Sequence, residues 1–135
     1  GTLEDAIKAC EISLAQFHEK PVIVNFGGDS EVDELLLKLP KLQAAKVIHI
    51  DFPQLPELEM QDIYGEILME KQEWKAVVKE QVKQILKYKP EAVFVGDNIF
   101  AAYPVVHILR KKHIPVLTLA KKNSEKIIAR IPSGS

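Results

Sequence analysis

Polar residues that could bind a ligand follow the apolar runs of this chain in four places. They are Gly27, Gly28, Asp29 and Ser30 after the first run, Asp51 after the second, Gly96, Asp97 and Asn98 after the third, and Thr118 and Lys121 at the fourth. Carboxylate and amide oxygens in such turns accept hydrogen bonds from a polar molecule or coordinate a hard cation. We therefore expect binding chemistry at these turns.

Two binding chemistries and one structural interpretation are open for these residues. Asp29, Asp51 and Asp97 could hold Mg²⁺ beside a phosphate, because converging carboxylates repel one another unless a cation joins them. The same aspartates, together with Asn98, could instead accept hydrogen bonds from a small polar molecule. In the structural interpretation they only cap helices and end strands, as aspartate often does.

The stretch Gly27-Gly28-Asp29-Ser30 has the order of strand, glycine turn and helix start. Unpaired N–H groups and the helix dipole can cradle an anion in that arrangement. The stretch matches neither GxGxxG nor the P-loop pattern, and it lacks the lysine of the latter. A structural turn and a ligand-binding loop both remain open at this point.

The sequence gives less support to a catalytic site than to a binding site. Ser30 has no matching histidine, and the GxSxG pattern of a nucleophile elbow is absent. Cys10 is the only cysteine, which excludes an internal disulfide or a cysteine-rich zinc site. His49 lies inside an apolar run without a second histidine at chelating spacing, so we interpret it as a packed, hydrogen-bonded core residue. The sequence thus favours a binding module over a stand-alone enzyme.

Four apolar runs predict the strands that position these residues. They lie at 22–26, 47–51, 92–96 and 116–119. The segments between them can form helical crossovers, so we expect parallel strands in the spatial order 2-1-3-4. This is a three-layer, Rossmann-like α/β fold of flavodoxin-like order, with helices on both faces of a four-stranded parallel sheet. All strands then end at one edge, where a ligand would bind.

Apolar residues at helical spacing predict the covering elements. The segment 2–18 is an amphipathic helix that covers the sheet or contacts another subunit, and 57–88 forms two helices. Pro104 is expected to begin the regular helix of the last crossover. Asn123 or Ser124 is expected to cap a final helix that carries Ile127, Ile128 and Ile131.

The segment Glu57–Lys71 carries more apolar surface than a solvated excursion needs. Its apolar residues are Leu58, Met60, Ile63, Tyr64, Ile67, Leu68 and Met69. Such a patch usually marks a contact, so we expect it to form either a homodimer interface or a lid.

One part of the chain resembles a known family. The segment Lys89 to Asn98, with the sequence KPEAVFVGDN, is followed by a helix and His113-Ile114-Pro115-Val116. It resembles a segment of type I periplasmic-binding and LacI-type sugar-binding domains over about 30 residues. The resemblance implies a Rossmann-like lobe that binds a small polar ligand at its strand ends, with Asp97 and Asn98 near the ligand.

The charge and the apolar content of the chain limit the kinds of partner that it can bind. The net charge is -1 and cations are mixed with anions, so no basic stripe for nucleic acid is present. No apolar run approaches the roughly 20 residues that cross a bilayer, and we expect a cytoplasmic protein. Residues 1–131 are expected to form a single domain and 132–135 a flexible tail.

Together these patterns predict a small-ligand-sensing or partner-binding α/β module, a regulatory domain within a larger protein. Its ligand would be a polar metabolite at the carboxyl ends of the strands. The alternative is a phosphate- or nucleotide-handling enzyme that uses the Gly27–Gly28 turn and an aspartate-bound Mg²⁺.

Overall fold

The computed structural model describes residues 2–15, 20–51, 72–96 and 99–132, with the backbone alone for 72–74 and 99–101. The elements in this part of the chain, in order, are α1 (Thr2–Ala15), β1 (Val22–Phe26), α2 (Ser30–Leu37), β2 (Lys46–Ile50), α3 (Gln72–Lys87), β3 (Ala92–Val95), α4 (Ile99–Lys111), β4 (Val116–Lys122) and β5 (Glu125–Arg130). The predicted segment 57–71, with its expected dimer or lid role, lies outside the described residues.

The fold is α/β with a mixed, mostly parallel sheet. Five strands lie in the order β2-β1-β3-β4-β5. The pairs β1–β2, β1–β3 and β3–β4 are parallel, whereas β4 and β5 are antiparallel. The predicted parallel pairing is therefore confirmed for β1 to β4, but the expected four-stranded layout is corrected, because a fifth strand covers the outer edge of β4.

The predicted final helix is wrong. Asn123 and Ser124 form a two-residue turn with φ of 52° and 69°, and β5 runs back along β4 from Lys122 opposite Glu125. Two successive left-handed residues are typical of a type I′ hairpin turn, whose twist matches that of the strands. Because of this hairpin, β4 continues to Lys122 rather than ending at residue 119.

Helices cover both faces of the sheet, which gives the three expected layers. On one face α3 and α4 pack on alternate residues of the central strands, including Val24, Val93 and Val95. On the other face α1 and α2 bury Ile23 and Phe94. The first helix thus covers the sheet, which was one of the two roles predicted for it.

Helix α4 also differs from expectation, because it begins at Ile99 and runs through Pro104. Proline removes one N–H donor from a helix and normally kinks or ends it. Here Ala102, Val105 and Leu109 are all buried against the sheet, and this packing holds the helix on both sides of the proline. Among the helices that the structure describes, none is long and apolar enough to span a bilayer.

Candidate functional site

The turn after β1 is built by close backbone contacts. Gly27 has a φ of 81°, which favours glycine, and its N–H donates to the carbonyl of Ile50 at 2.9 Å. The N–H of Gly96 donates to the carbonyl of Phe26 at 2.8 Å, and a Cβ on Gly96 would lie 2.5 Å from the Gly27 oxygen. The carboxyl ends of β1, β2 and β3 therefore meet at this turn.

The side chain of Asn25, in β1, also holds this turn in place. Its side chain is fully buried, and its Oδ1 accepts the N–H of Gly28 at 2.9 Å. A Cβ on Gly28 would lie 2.4 Å from this oxygen, so the position requires glycine. The Nδ2 of Asn25 donates to the Asp29 carbonyl at 3.4 Å and to Asp33 Oδ1 at 2.9 Å. A buried amide with both its oxygen and its nitrogen paired in this way satisfies the turn internally.

The hydrogen bonds continue from Asn25 to a histidine. The second carboxylate oxygen of Asp33 lies 2.5 Å from Nε2 of His49. His49 stands beside Asn25 in the parallel register of β1 and β2. Its side chain is 49% exposed, so the prediction of a hydrogen-bonded core histidine is confirmed in its hydrogen bond but wrong in its burial.

A cavity of about 680 Å³ opens at the carboxyl end of β2. Its lining residues are His49, Ile50 and Asp51 from β2 and its end, and Glu80, Lys83, Gln84, Lys87 and Tyr88 from α3 and its end. The volume lies within the range of small-molecule sites. The walls carry carboxylates and ammonium groups together, so the cavity suits a polar ligand that bears both charges or many hydroxyl groups.

The predicted site residues do not all meet in this cavity. Asp51 lines it, whereas Gly27, Gly28 and Gly96 form the neighbouring backbone contact. Asp29 caps α2 by accepting the N–H of Val32 at 3.3 Å, as its capping interpretation predicted, and Ser30 begins that helix. Lys121 lies within strand β4, opposite Lys126 of β5 in the hairpin register, and not in a turn after the strand as predicted. Asp97 and Asn98 lie outside the described residues.

The electrostatics at the start of α2 disfavour an anion. Gly27 and Gly28 have already donated their N–H groups within the protein. Asp29 caps the helix, and Glu31 and Asp33 stand in its first turn. These carboxylates already occupy the positive end of the helix dipole, so a phosphate there would meet repulsion. Within the described ranges, no group of three or more His, Cys, Asp or Glu side chains could hold a metal ion.

Sequence reasoning missed the role of Asn25 and Asp33. Asn25 is a polar residue inside an apolar run, and this is the one signal that could have marked it. Asp33 and His49 are 16 residues apart in the sequence. Their contact depends on how α2 packs over the sheet and on the register between β1 and β2. That register cannot be read from periodicity.

Comparison of the chain with protein-family models, with curated protein sequences and with solved structures finds no match.

Proposed function

We propose that this α/β domain binds a small polar molecule in the cavity at the carboxyl end of β2 and acts as a sensing or partner-binding module. The observation that carries the proposal is the composition of the cavity walls. Asp51 and Glu80 supply carboxylates, while Lys83 and Lys87 supply ammonium groups on the same opening. A ligand with an amino and a carboxylate group could pair with both sets at once.

The hydrogen bonds among Asn25, Asp33 and His49 support this proposal only indirectly. Asp33 belongs to α2, so the His49 ring that it binds lies on the α2 face of the sheet, whereas Glu80, Lys83 and Lys87 reach the cavity from α3. The network thus holds the end of β2 that borders the cavity, and a binding site that is fixed before the ligand arrives lowers the entropy cost of binding.

Two further observations favour this function over its alternative. The resemblance of residues 89–98 and 113–116 to sugar-binding lobes supports a small polar ligand at the strand ends. The alternative, a phosphate- or nucleotide-handling enzyme, is supported less well, since the N–H groups of Gly27 and Gly28 are satisfied internally and acidic residues surround the start of α2.

The test is a thermal-shift screen of amino acids, polyols and sugars, nucleotides and Mg²⁺, followed by calorimetry on variants. A ligand present at 100 times its dissociation constant should add about 2.7 kcal/mol to the free energy of unfolding. We expect the stabilising ligand to be a zwitterion or polyol, and to lose affinity in Asp51→Asn and Lys87→Ala.

The matched controls are Glu125→Gln and Lys112→Ala, because both residues are exposed and neither lines the cavity. These variants should bind as the unmodified chain does. Stabilisation by Mg²⁺ with a nucleotide that is unchanged in Asp51→Asn and Lys87→Ala would contradict the proposal and favour the enzyme.

A further inference from the structure

A second opening lies on the opposite face of the sheet, between α1, α2 and the β4–β5 hairpin. Both helices pack against β5 and leave a groove of about 300 Å³ between them. Its apolar lining includes Ile7, Cys10, Leu14, Leu35, Leu39 and Ile127. The groove is thus separate from the polar cavity and different in chemistry.

The floor of this groove carries no charge at neutral pH. Cys10 and Leu14 are buried there, and Ile128 of β5 closes the bottom. Burial raises the pKa of the Cys10 thiol to about 11, so the sulfur stays protonated and behaves as a small apolar group. Water in such a lining gains few hydrogen bonds, which favours its replacement by an aliphatic chain.

The rim of the groove carries charges of both signs. It is lined by Lys38, Lys122 and Lys126 and by Glu11, and two of the three lysines have a carboxylate partner. Lys122 pairs with Glu4 at 2.9 Å and Lys126 with Glu31 at 3.1 Å, but these side chains are largely exposed, and such pairs hold their partners weakly. Lys38 forms no ion pair with any residue that the structure describes. An anionic group would therefore be attracted to Lys38, the rim lysine without such a partner among the described residues.

The groove has a volume of about 300 Å³, which suits a narrow apolar ligand. A single unbranched aliphatic chain can lie in it with its head at the rim, and long lysine side chains can cover such a chain with their methylene groups.

We infer that the groove between α1, α2 and β5 is a second binding site, whose ligand is a free single-chain aliphatic carboxylate with its chain on the apolar floor and its carboxylate beside Lys38. The two halves of the ligand match the two halves of the groove. This site is independent of the polar cavity and of the function proposed for it.

Methyl NMR of the full chain with labelled isoleucine can test this site directly. Decanoate, below its micelle concentration, should shift the δ1 methyls of Ile7, Ile127 and Ile128, which lie at the groove. The methyl of Ile85 should not move, because it is buried on the other face of the sheet. Decanol has the same chain with a neutral head and should bind more weakly.

A charge variant separates the head from the chain. Lys38→Ala should weaken decanoate binding about two- to fivefold, the effect of losing one exposed charge contact, and should leave decanol binding unchanged. Lys79→Ala on the exposed side of α3 is the matched control and should have no effect on either ligand.

Four results would overturn the inference. They are the absence of saturable shifts at the three groove methyls, equal affinity for decanoate and decanol, shifts that appear with anionic phospholipid vesicles but not with free decanoate, and ligand-free shifts that grow with protein concentration. The last would assign the groove to contact between copies of the chain.

Discussion

Asn25 and His49 lie side by side on adjacent parallel strands, and the two side chains bind opposite oxygens of one carboxylate. The amide donates to Asp33 Oδ1 at 2.9 Å, and the imidazole contacts Oδ2 at 2.5 Å. Asn25 is fully buried while His49 is half exposed. A group buried under the turn therefore determines the orientation of a group that faces solvent.

Replacing Asn25 by aspartate should destabilise the domain by about 2–4 kcal/mol, because a buried carboxylate would then face Asp33 and lose a donor. Guanidinium unfolding followed by circular dichroism measures this change. Asn123→Asp, at an exposed turn position, is the matched control and should stay within about 0.5 kcal/mol of the unmodified chain. An unchanged midpoint for Asn25→Asp would show that the Asn25–Asp33 bond is not formed.

Gly28→Ala should cost about 1–3 kcal/mol, because the added Cβ would lie 2.4 Å from Asn25 Oδ1 and 3.0 Å from Phe94 Cε1. The same change should cost less in an Asn25→Ala background, where the first of these contacts is gone. A double-mutant cycle by chemical denaturation measures the coupling between the two positions. Additive effects would mean that the amide does not occupy the space above Gly28.

Stability should fall at alkaline pH through Cys10. Burial, with a smaller effect from the charge of Glu11, raises the thiol pKa from its ordinary value of 9.0 to about 11. The folded state holds this proton more tightly than the unfolded state, so the contribution is fully present below pH 9 and is lost as the pH rises through 11. We expect a loss on the order of 2–3 kcal/mol.

The measurement is the free energy of unfolding across that pH range in the unmodified chain and in Cys10→Ala. The variant should lack this part of the alkaline slope. Parallel curves for the two proteins would contradict the burial of the thiol.

Ser124→Gly should stabilise the domain by about 0.5–1 kcal/mol, because glycine adopts the φ of 69° without steric cost. Ser124→Val at the same site should destabilise it by about 1–2 kcal/mol, since a β-branched residue is strained there. Thermal unfolding of both variants decides between a hairpin and a helix at this point. A helix start would gain nothing from the glycine.

The parallel part of the sheet could be predicted because each of the runs 22–26, 47–51, 92–96 and 116–119 carries at least three apolar side chains, enough to define a strand. Their boundaries moved by about one residue, except at β4. There the helical spacing of Ile127, Ile128 and Ile131 competed with the turn residues Asn123-Ser124, and the turn determined the outcome. The strong preference of asparagine for left-handed turn conformations is the sequence signal that predicts a hairpin here.

The candidate site was harder to predict than the strands. Asp51 could be expected at a ligand edge from its place after a strand. The hydrogen bonds that link Asn25, Asp33 and His49 could not be predicted, because they join two strands and a helix whose relative register depends on tertiary packing. The cavity walls from α3 were missed for the same reason, since Glu80, Lys83 and Lys87 look like an ordinary solvated helix face in the sequence.

The contact between α1 and β5 also affects the order of folding. Arg130 donates to the hydroxyl of Ser13 at 2.7 Å across 117 residues of chain, and α1 packs along β5. On the ribosome, α1 would emerge long before the strand that covers its apolar side. Contacts of such long sequence separation also slow folding in solution. The helix synthesised earliest in this part of the chain should therefore dock last, after β5 has formed.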